Sequence, residues 1–260
     1  MATAAPKPAA GDDSRRCGRD GRTSGRVGER PVGDPKLPAK LLLTRLGARV
    51  GASAIYNLNG CFNYVYVGWW WRAHGFPRSR GVRSRFDVFA SIAEEVADLR
   101  VLYLEFGVAK GETMRHWAGL LKHPEARLHG FDSFLGLPHD WSLEGHPRGD
   151  FSTGGEVPEL DDPRVRFFPG LFEDTLPAQV WPDHDVLVGM LDADLYSSTA
   201  TALDFLAGHF RPGSYLYFDQ LHHRADELRA LNEFLDEHPM RLRVVAHTRE
   251  LSSVAFQRID

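Results

Sequence analysis

The chain has 260 residues, 43% hydrophobic and 25% charged, with a net charge of −4, which is the profile of one good-sized soluble domain with some appended sequence. That balance gives no electrostatic case for nucleic acid or an anionic membrane as partner. Cys17 and Cys61 are the only cysteines, too few for a disulfide framework or a thiolate metal site, and they fit a cytoplasmic location.

Residues 1–36 open with "MATAAPKPAAGDDSRR", which lacks the apolar core of a secretory signal. They are rich in Ala, Gly, Pro, Arg and Asp without periodicity, which predicts a disordered, solvated tail. Residues 37–85 form a helical, aromatic segment containing "CFNYVYVGWWWRAHGF". Trp and Tyr favour membrane interfaces, but the run lacks a Lys-rich polar face and is too short to span a bilayer. It is read as packing on the main domain, as one wall of a substrate pocket, or as the contact of a homo-oligomer. Arg78, Arg80, Arg83 and Arg85 follow, either to bind an anionic acceptor or to lie in solvent.

The main domain covers 86–260. Phe86, Phe89, Ile92, Ala93 and Val96 recur at helical spacing. Strands are then expected at 101–107, 127–131, 165–168, 185–191, 214–218 and 242–247, with helices at 112–122, 198–209 and 224–237. Such alternation predicts an α/β fold with a mostly parallel, doubly wound sheet. "LRVVAHT" and "SSVAFQRI" are expected to pair antiparallel at its edge.

Ligands of such sheets bind beyond the carboxyl ends of the strands. The first strand and its turn read "LYLEFGVAKGET", with the spacing E-x-G-x-x-x-G and not the G-x-G-x-x-G of a pyrophosphate site. Glu105 at the mouth of the turn repels phosphate and suits a ligand bearing an ammonium or sulfonium group. Gly107 and Gly111 let the backbone lie against that ligand, and Thr113 opens the following helix. A tight turn with no ligand is the competing reading.

The second strand ends in Asp132, placed to accept ribose hydroxyls as the acid of a dinucleotide fold does, with Ser133 beside it. The third leads into Gly170, Leu171 and Phe172, where an adenine can slide between apolar side chains, with Glu173 at the edge.

"VLYLEFGVAKGET", "GFDSFLGLPHDW", "FSTGGEVPE" and "LDADLYSST" together resemble the macrocin and mycinamicin O-methyltransferase family, in order and at matching spacing from about Arg85 to about Glu233. The resemblance implies a Rossmann-like class I methyltransferase, S-adenosylmethionine (SAM) as methyl donor, magnesium as helper, and a hydroxyl of a small natural product, such as a sugar, as acceptor. A phenol or carboxylate acceptor stays open.

The fourth strand ends in Asp192 and Asp194, and the fifth in Asp219 and Gln220. Carboxylate and carboxamide oxygens on neighbouring strand tips suit a hard cation such as Mg2+, which lowers the pKa of a coordinated hydroxyl. Asp192, Asp219 and Gln220 are the expected ligands. Similar family members carry two acids at the last two positions, so Gln220 removes a charge. Strand-end polar residues that bind water are the alternative. Asp192 and His222 are the expected proton acceptors, with Asp194 left between catalysis and structuring the turn, and His223 read as an exposed loop residue. The segment 144–160 is expected to be a mobile lid or an ordinary loop. RNA or protein as the acceptor, or a nicotinamide-dependent oxidoreductase, are the competing functions. The charge opposes the first; Glu105 and the glycine spacing oppose the second.

Overall fold

The computed structural model describes residues 34–77 and 81–260. Nearly all of the expected tail lies outside the described residues, as do Arg78 and Arg80. Seven strands form one sheet in the order β3-β2-β1-β4-β5-β7-β6. At its centre, all six residues of β1 (Val101–Phe106) and of β4 (Val186–Leu191) are buried. Helices cover both faces there, which is why these stretches read as unbroken apolar runs and not as alternation. β1 pairs in parallel with β4 and with β2 (Arg127–Asp132), which pairs with β3 (Val165–Pro169); on the other side β4 pairs with β5 (Tyr215–Phe218). The chain order therefore reverses between β1 and β4.

The last two strands pair antiparallel at the edge of the sheet, as expected, but in reversed order. β7 (Val254–Arg258) lies antiparallel between β5 and β6 (Leu242–His247), so β6 is the edge. Val254, Ala255 and Phe256 are fully buried whereas most of β6 is half-exposed. The more apolar strand takes the inner position.

On one face, α3 (Arg85–Val96) and α4 (Glu112–Leu120) pack Phe89, Ile92, Met114 and Trp117 on Tyr103, Val188 and Tyr217. Ser84 and Asp87 close a reciprocal capping box that starts α3. On the other face, α6 (Tyr196–Ala207) and α7 (Glu227–Glu237) cover Leu102, Leu104, Leu187 and Leu216. The same cluster takes in Val67, Trp70 and Trp71 from α2 (Ala52–Ala73), so core packing crosses the expected boundary at residue 85. A separate helix, α1 (Leu37–Gly47), has no buried residue. A one-turn α5 (Phe172–Thr175) follows β3. Among the described residues no helix is long and apolar enough to cross a membrane.

Candidate active site

The carboxyl ends of β1 to β5 open into one cavity of about 960 Å³, at the point where the strand order reverses and ligands of such sheets bind. Glu105 lies within it, yet its side chain is only 1% exposed. Tyr103 Oη donates to Glu105 Oε2 at 2.7 Å, and Oε1 has no partner. Burial pushes the Glu105 pKa up to about 8. A buried carboxylate oxygen without a donor is costly, and a cationic ligand would relieve it.

The two glycines of the β1 turn are required by the protein itself. Gly107 has φ +93°, and a Cβ there would lie 1.9 Å from the carbonyl oxygen of Asp192. Gly111 has φ +71° and would touch the ring of Pro158 at 3.0 Å. It sits at the N-cap of α4 and does not line the cavity. Gly107, unlike Gly111, also lines the cavity; the β4 strand tip crowds the first glycine and the loop carrying Pro158 the second.

Asp132 lines the cavity and also clamps it. Its Oδ2 accepts from the backbone N–H of Val108 and of Ala109, both at 2.8 Å, and its Oδ1 from that of Phe134 at 2.7 Å. These bonds tie the tip of β2 to the turn after β1 and leave one lone pair, on Oδ1, for a hydroxyl donor. Thr113, Ser133, Gly170, Leu171 and Phe172 line the same cavity. The Phe172 ring meets Phe106 edge-on at 5.6 Å.

Asp192, Asp194 and Gln220 face the cavity from β4 and β5. Burial first, and then the charges of Asp219 and Asp194, hold Asp192 well above the ordinary carboxylate range. Asp194 is raised to about 7, by burial and then by Asp219. Its φ of +61° is unusual for a residue with a side chain, and Gln220 Nε2 donates to its Oδ1 at 3.0 Å. The opposite amide orientation would set oxygen against oxygen. Asp219 does not line the cavity; its Oδ1 accepts from Tyr217 Oη at 2.5 Å.

Arg85, at the first turn of α3, reaches between these acids. Its Nη1 lies 3.8 Å from Asp192 Oδ2 and 3.8 Å from Asp219 Oδ2, and its Nη2 lies 3.4 Å from Glu112 Oε2. Among the described residues, no three acidic, histidine or cysteine side chains are grouped to hold a metal ion. Magnesium demands a near-octahedral shell of oxygens. The expected ligands do not fit it as arranged, because a guanidinium stands between Asp192 and Asp219 and the amide nitrogen of Gln220 serves Asp194.

His222 is not at the site. Its ring stacks on Tyr64 of α2, centroids 4.6 Å apart, and it does not line the cavity. Burial lowers its pKa to about 4. The turn after β5 aims it into helix packing instead of toward a substrate. His223, expected to be exposed, is buried against Trp141. The aromatic run divides by helix face: Trp70 and Trp71 enter the core, while Tyr66 and Trp69 are exposed.

Residues 134–155 roof the cavity as a loop folded on itself. Leu137 N–H donates to Asp150 O, Gly149 N–H to Leu137 O, and Thr153 and Gly155 N–H to Phe134 O. Phe151 and Ser152 reach the cavity from it, beside Leu137, Pro138 and a His139–Ser197 hydrogen bond of 2.8 Å. Sequence reading marked 144–160 as a lid or ordinary loop, but not the part from 134 nor which side chains turn inward.

A family model described as macrocin O-methyltransferase (TylF) matches residues 80–248, more than half of the chain. The chain belongs to the macrocin O-methyltransferase family. From Streptomyces olivaceus, the 8-demethyl-8-(2,3-dimethoxy-alpha-L-rhamnosyl)-tetracenomycin-C 4'-O-methyltransferase is 40% identical over 95 residues. That alignment covers 36% of this chain and spans about a third (32%) of the length of the relative. Among solved structures, the O-methyltransferase NovP is similar with a TM-score of 0.53 at 24% identity, over 68% of this chain and 80% of that one, a likeness of fold. The α/β fold is thus one shared with NovP, and the family is that of the macrocin O-methyltransferases.

Proposed function

We propose that this chain is a SAM-dependent O-methyltransferase acting on a hydroxyl of a glycosylated natural product. The observation that carries the reading is the shared cavity: Glu105, Asp132, and the pair Asp192 and Asp194 stand at the ends of the neighbouring strands β1, β2 and β4 around one space. Its volume exceeds what one nucleoside-sized ligand needs. The sugar acceptor is supported by the named activity of the S. olivaceus relative.

When bound, SAM supplies a methyl group activated by a sulfonium. Glu105, with its unpartnered Oε1, is the proposed holder of the positive end, and the remaining lone pair on Asp132 Oδ1 is the proposed acceptor for a ribose hydroxyl. Leu171 and Phe172 offer apolar surface to the base. Gly107, Thr113, Ser133 and Gly170 complete the cofactor side. On the acceptor side, Phe151, Leu137 and Pro138 are apolar and His139 and Ser197 polar, a combination suited to a sugar carried on an apolar aglycone.

Asp194 is the proposed base. It faces the cavity, and its raised pKa near 7 makes it a better proton acceptor at neutral pH than an ordinary carboxylate. Gln220 holds its carboxylate in place. With SAM bound, Asp194 would take the proton that the acceptor hydroxyl gives up as it is methylated. Arg85 balances Asp192 and Asp219 without taking part in the transfer. A cytoplasmic location and assembly of identical subunits belong to the same proposal.

The test is binding and turnover. Calorimetry with S-adenosylhomocysteine should give one site per chain, and a panel of O-rhamnosylated aromatic aglycones should include a methylated product. Activity should survive dialysis against EDTA. A chelator-dead enzyme restored by Mg2+ would mean that Arg85 yields its place to the ion. Absence of any cofactor binding would remove the reading altogether.

A further inference from the structure

From sequence, α2 is a candidate wall of the substrate pocket, yet among the described residues none of α2 lines the cavity. Its buried stripe is Asn59, Asn63, Val67, Trp70 and Trp71. The N-terminal end of that stripe is therefore polar where the rest is apolar. Asn is a weak helix former whose side chain competes for backbone hydrogen bonds, so two of them on a buried helix face need partners outside the helix.

Those partners are two opposite charges. Asn59 Nδ2 donates to Glu144 Oε1 at 2.9 Å, and Asn63 Nδ2 to the same oxygen at 3.4 Å. On the other side, Arg224 Nη2 donates to Asn59 Oδ1 at 3.1 Å and its Nη1 to Asn63 Oδ1 at 3.3 Å. Each amide gives its NH2 to a carboxylate and its oxygen to a guanidinium, two uses that a single Asn side chain combines. Bonds to ionised groups are the stronger kind. The reverse amide orientation would set oxygen against carboxylate and NH2 against guanidinium. Two leucines could fill the stripe but would join nothing.

The two charges belong to separate parts of the site. Glu144 sits in a bend of the roof loop, where Trp141 N–H donates to His146 O at 2.7 Å. The neighbouring Gly145 rests on α2 so closely that a Cβ there would fall 2.8 Å from the Tyr56 ring. His146 Nδ1 lies 2.9 Å from Asp150 Oδ2, and Asp150 O accepts from Leu137 N–H. The bend is thus bonded to the stretches that carry Leu137 and Phe151 into the cavity. Arg224 lies in the turn after β5, which begins with Asp219 and Gln220 and is braced on α2 by the stack of His222 on Tyr64. Trp141 Nε1 donates directly to Asp226 Oδ2 of this turn at 2.9 Å.

We infer that Asn59 and Asn63 are positioning residues for the acceptor: they form a polar clasp that ties the roof loop to the turn after β5 and keeps Leu137, Pro138 and Phe151 in place. The assignment rests on the proposed methyl transfer. The direct bond from Trp141 to Asp226 holds one side of the bend, and the clasp holds the other. The proposed base is secured separately, since Gln220 Nε2 bonds Asp194 and Gln220 N–H donates to Glu227 Oε2 at 2.9 Å. Loss of the clasp therefore reaches acceptor binding before it reaches proton transfer.

The experiment compares Asn59→Asp, Glu144→Gln and the double variant Asn59→Asp/Glu144→Gln in the full chain, with the best-methylated rhamnoside of the panel as acceptor. Asn59→Asp sets a carboxylate against Glu144 and should raise acceptor KM about tenfold, with kcat within about threefold and S-adenosylhomocysteine affinity unchanged. Glu144→Gln keeps an acceptor oxygen for Asn59 and should change KM by less than about threefold. The double variant exchanges amide and carboxylate between helix and roof, so a donor again faces an acceptor and Arg224 keeps a partner. Its KM should return to within about threefold of wild type, a rescue that a general loss of stability would not show. Amide hydrogen exchange of residues 134–155 reads the clasp without turnover; it should quicken about tenfold in Asn59→Asp and recover in the double variant. Should Asn59→Asp not fold, Glu144→Ala removes the same contact from the roof side and should raise KM alike. A wild-type KM in both, a loss confined to kcat, or a double variant no better than Asn59→Asp would overturn the positioning role. A wild-type chain that methylates nothing while exchange follows the expected pattern would strike the methyltransferase reading and leave the clasp standing.

Discussion

Asp194 combines three features that ordinary surface aspartates lack. It is held at positive φ, it lines the cavity, and its carboxyl stays protonated to about pH 7. Left-handed backbone at such a residue costs roughly 1–3 kcal/mol and persists where the surroundings impose it. Asn adopts this conformation more readily and carries no charge into the acidic cluster. Asp194→Asn should therefore melt at or above the wild-type temperature and bind S-adenosylhomocysteine normally, while kcat falls about 100-fold or more. In the wild type, kcat should rise from pH 6 to pH 8 as the base loses its proton, and a pH–rate profile of the variant should lack that limb. Sequence placed Asp192 and Asp194 on one side of an extended tip and preferred Asp192 as the base, the reverse of the order proposed for the folded site. The ranking comes from Gln220, whose amide reaches Asp194 across the gap between β4 and β5, and from Arg85, which meets Asp192.

At the scale of elements, strand tips bring the site together and turns keep it open. The strand from 101 and its glycine turn were legible because a doubly buried strand reads as an apolar run and because a glycine pair breaks it. The reason for the glycines was not legible, since the atoms they avoid come from Asp192 and Pro158, distant in sequence. Gly107→Ala should destabilise by the order of 3 kcal/mol or more, with a Cβ 1.9 Å from a carbonyl oxygen at φ +93°. Gly111→Ala should cost less, about 1–2 kcal/mol, because a proline ring at 3.0 Å can shift where backbone cannot. Urea unfolding of both variants, with equal m-values, measures the order. His222 shows the reverse difficulty: a loop histidine beyond the right strand looks available, but α2 covers it, and nothing in its local sequence announces a helix more than 150 residues earlier.

For the whole molecule, the acidic cavity ties stability to pH and to ligand. Glu105 and Asp194 have folded pKa values of about 8 and about 7, and Asp192 and Glu227 are raised well above the ordinary range. Groups raised on folding hold protons that the unfolded chain has released, so their contribution is complete below the unfolded pKa and is lost as pH rises through the folded one. Burial moves His222 to about 4, His223 to about 3 and His129 to about 4; these act oppositely, stabilising above about pH 6.5 and losing that contribution as pH falls. The ligand-free melting temperature should therefore climb as pH drops from 8 to about 6.5, and below that the three histidines should offset most of the further gain from the acids. SAM, with its sulfonium charge, should raise the melting temperature more at pH 8 than at pH 6.5. Thermal scans over that range with and without SAM check both signs. A ligand-free stability that increases steadily from pH 6.5 to 8 would contradict the acidic-cavity assignment.

Local sequence determined which segments are strands, which acids end them, and where the glycine turn falls, because apolar periodicity, chain reversals and residue type act between near neighbours. Tertiary structure decided what those acids face. Arg85 lies 107 residues from Asp192 (192 − 85) yet stands beside it, and only the folded sheet creates that distance. Interactions set by spacing along the chain can be read from the chain; those set by solvent exclusion and charge across a cavity exist only once the cavity has formed.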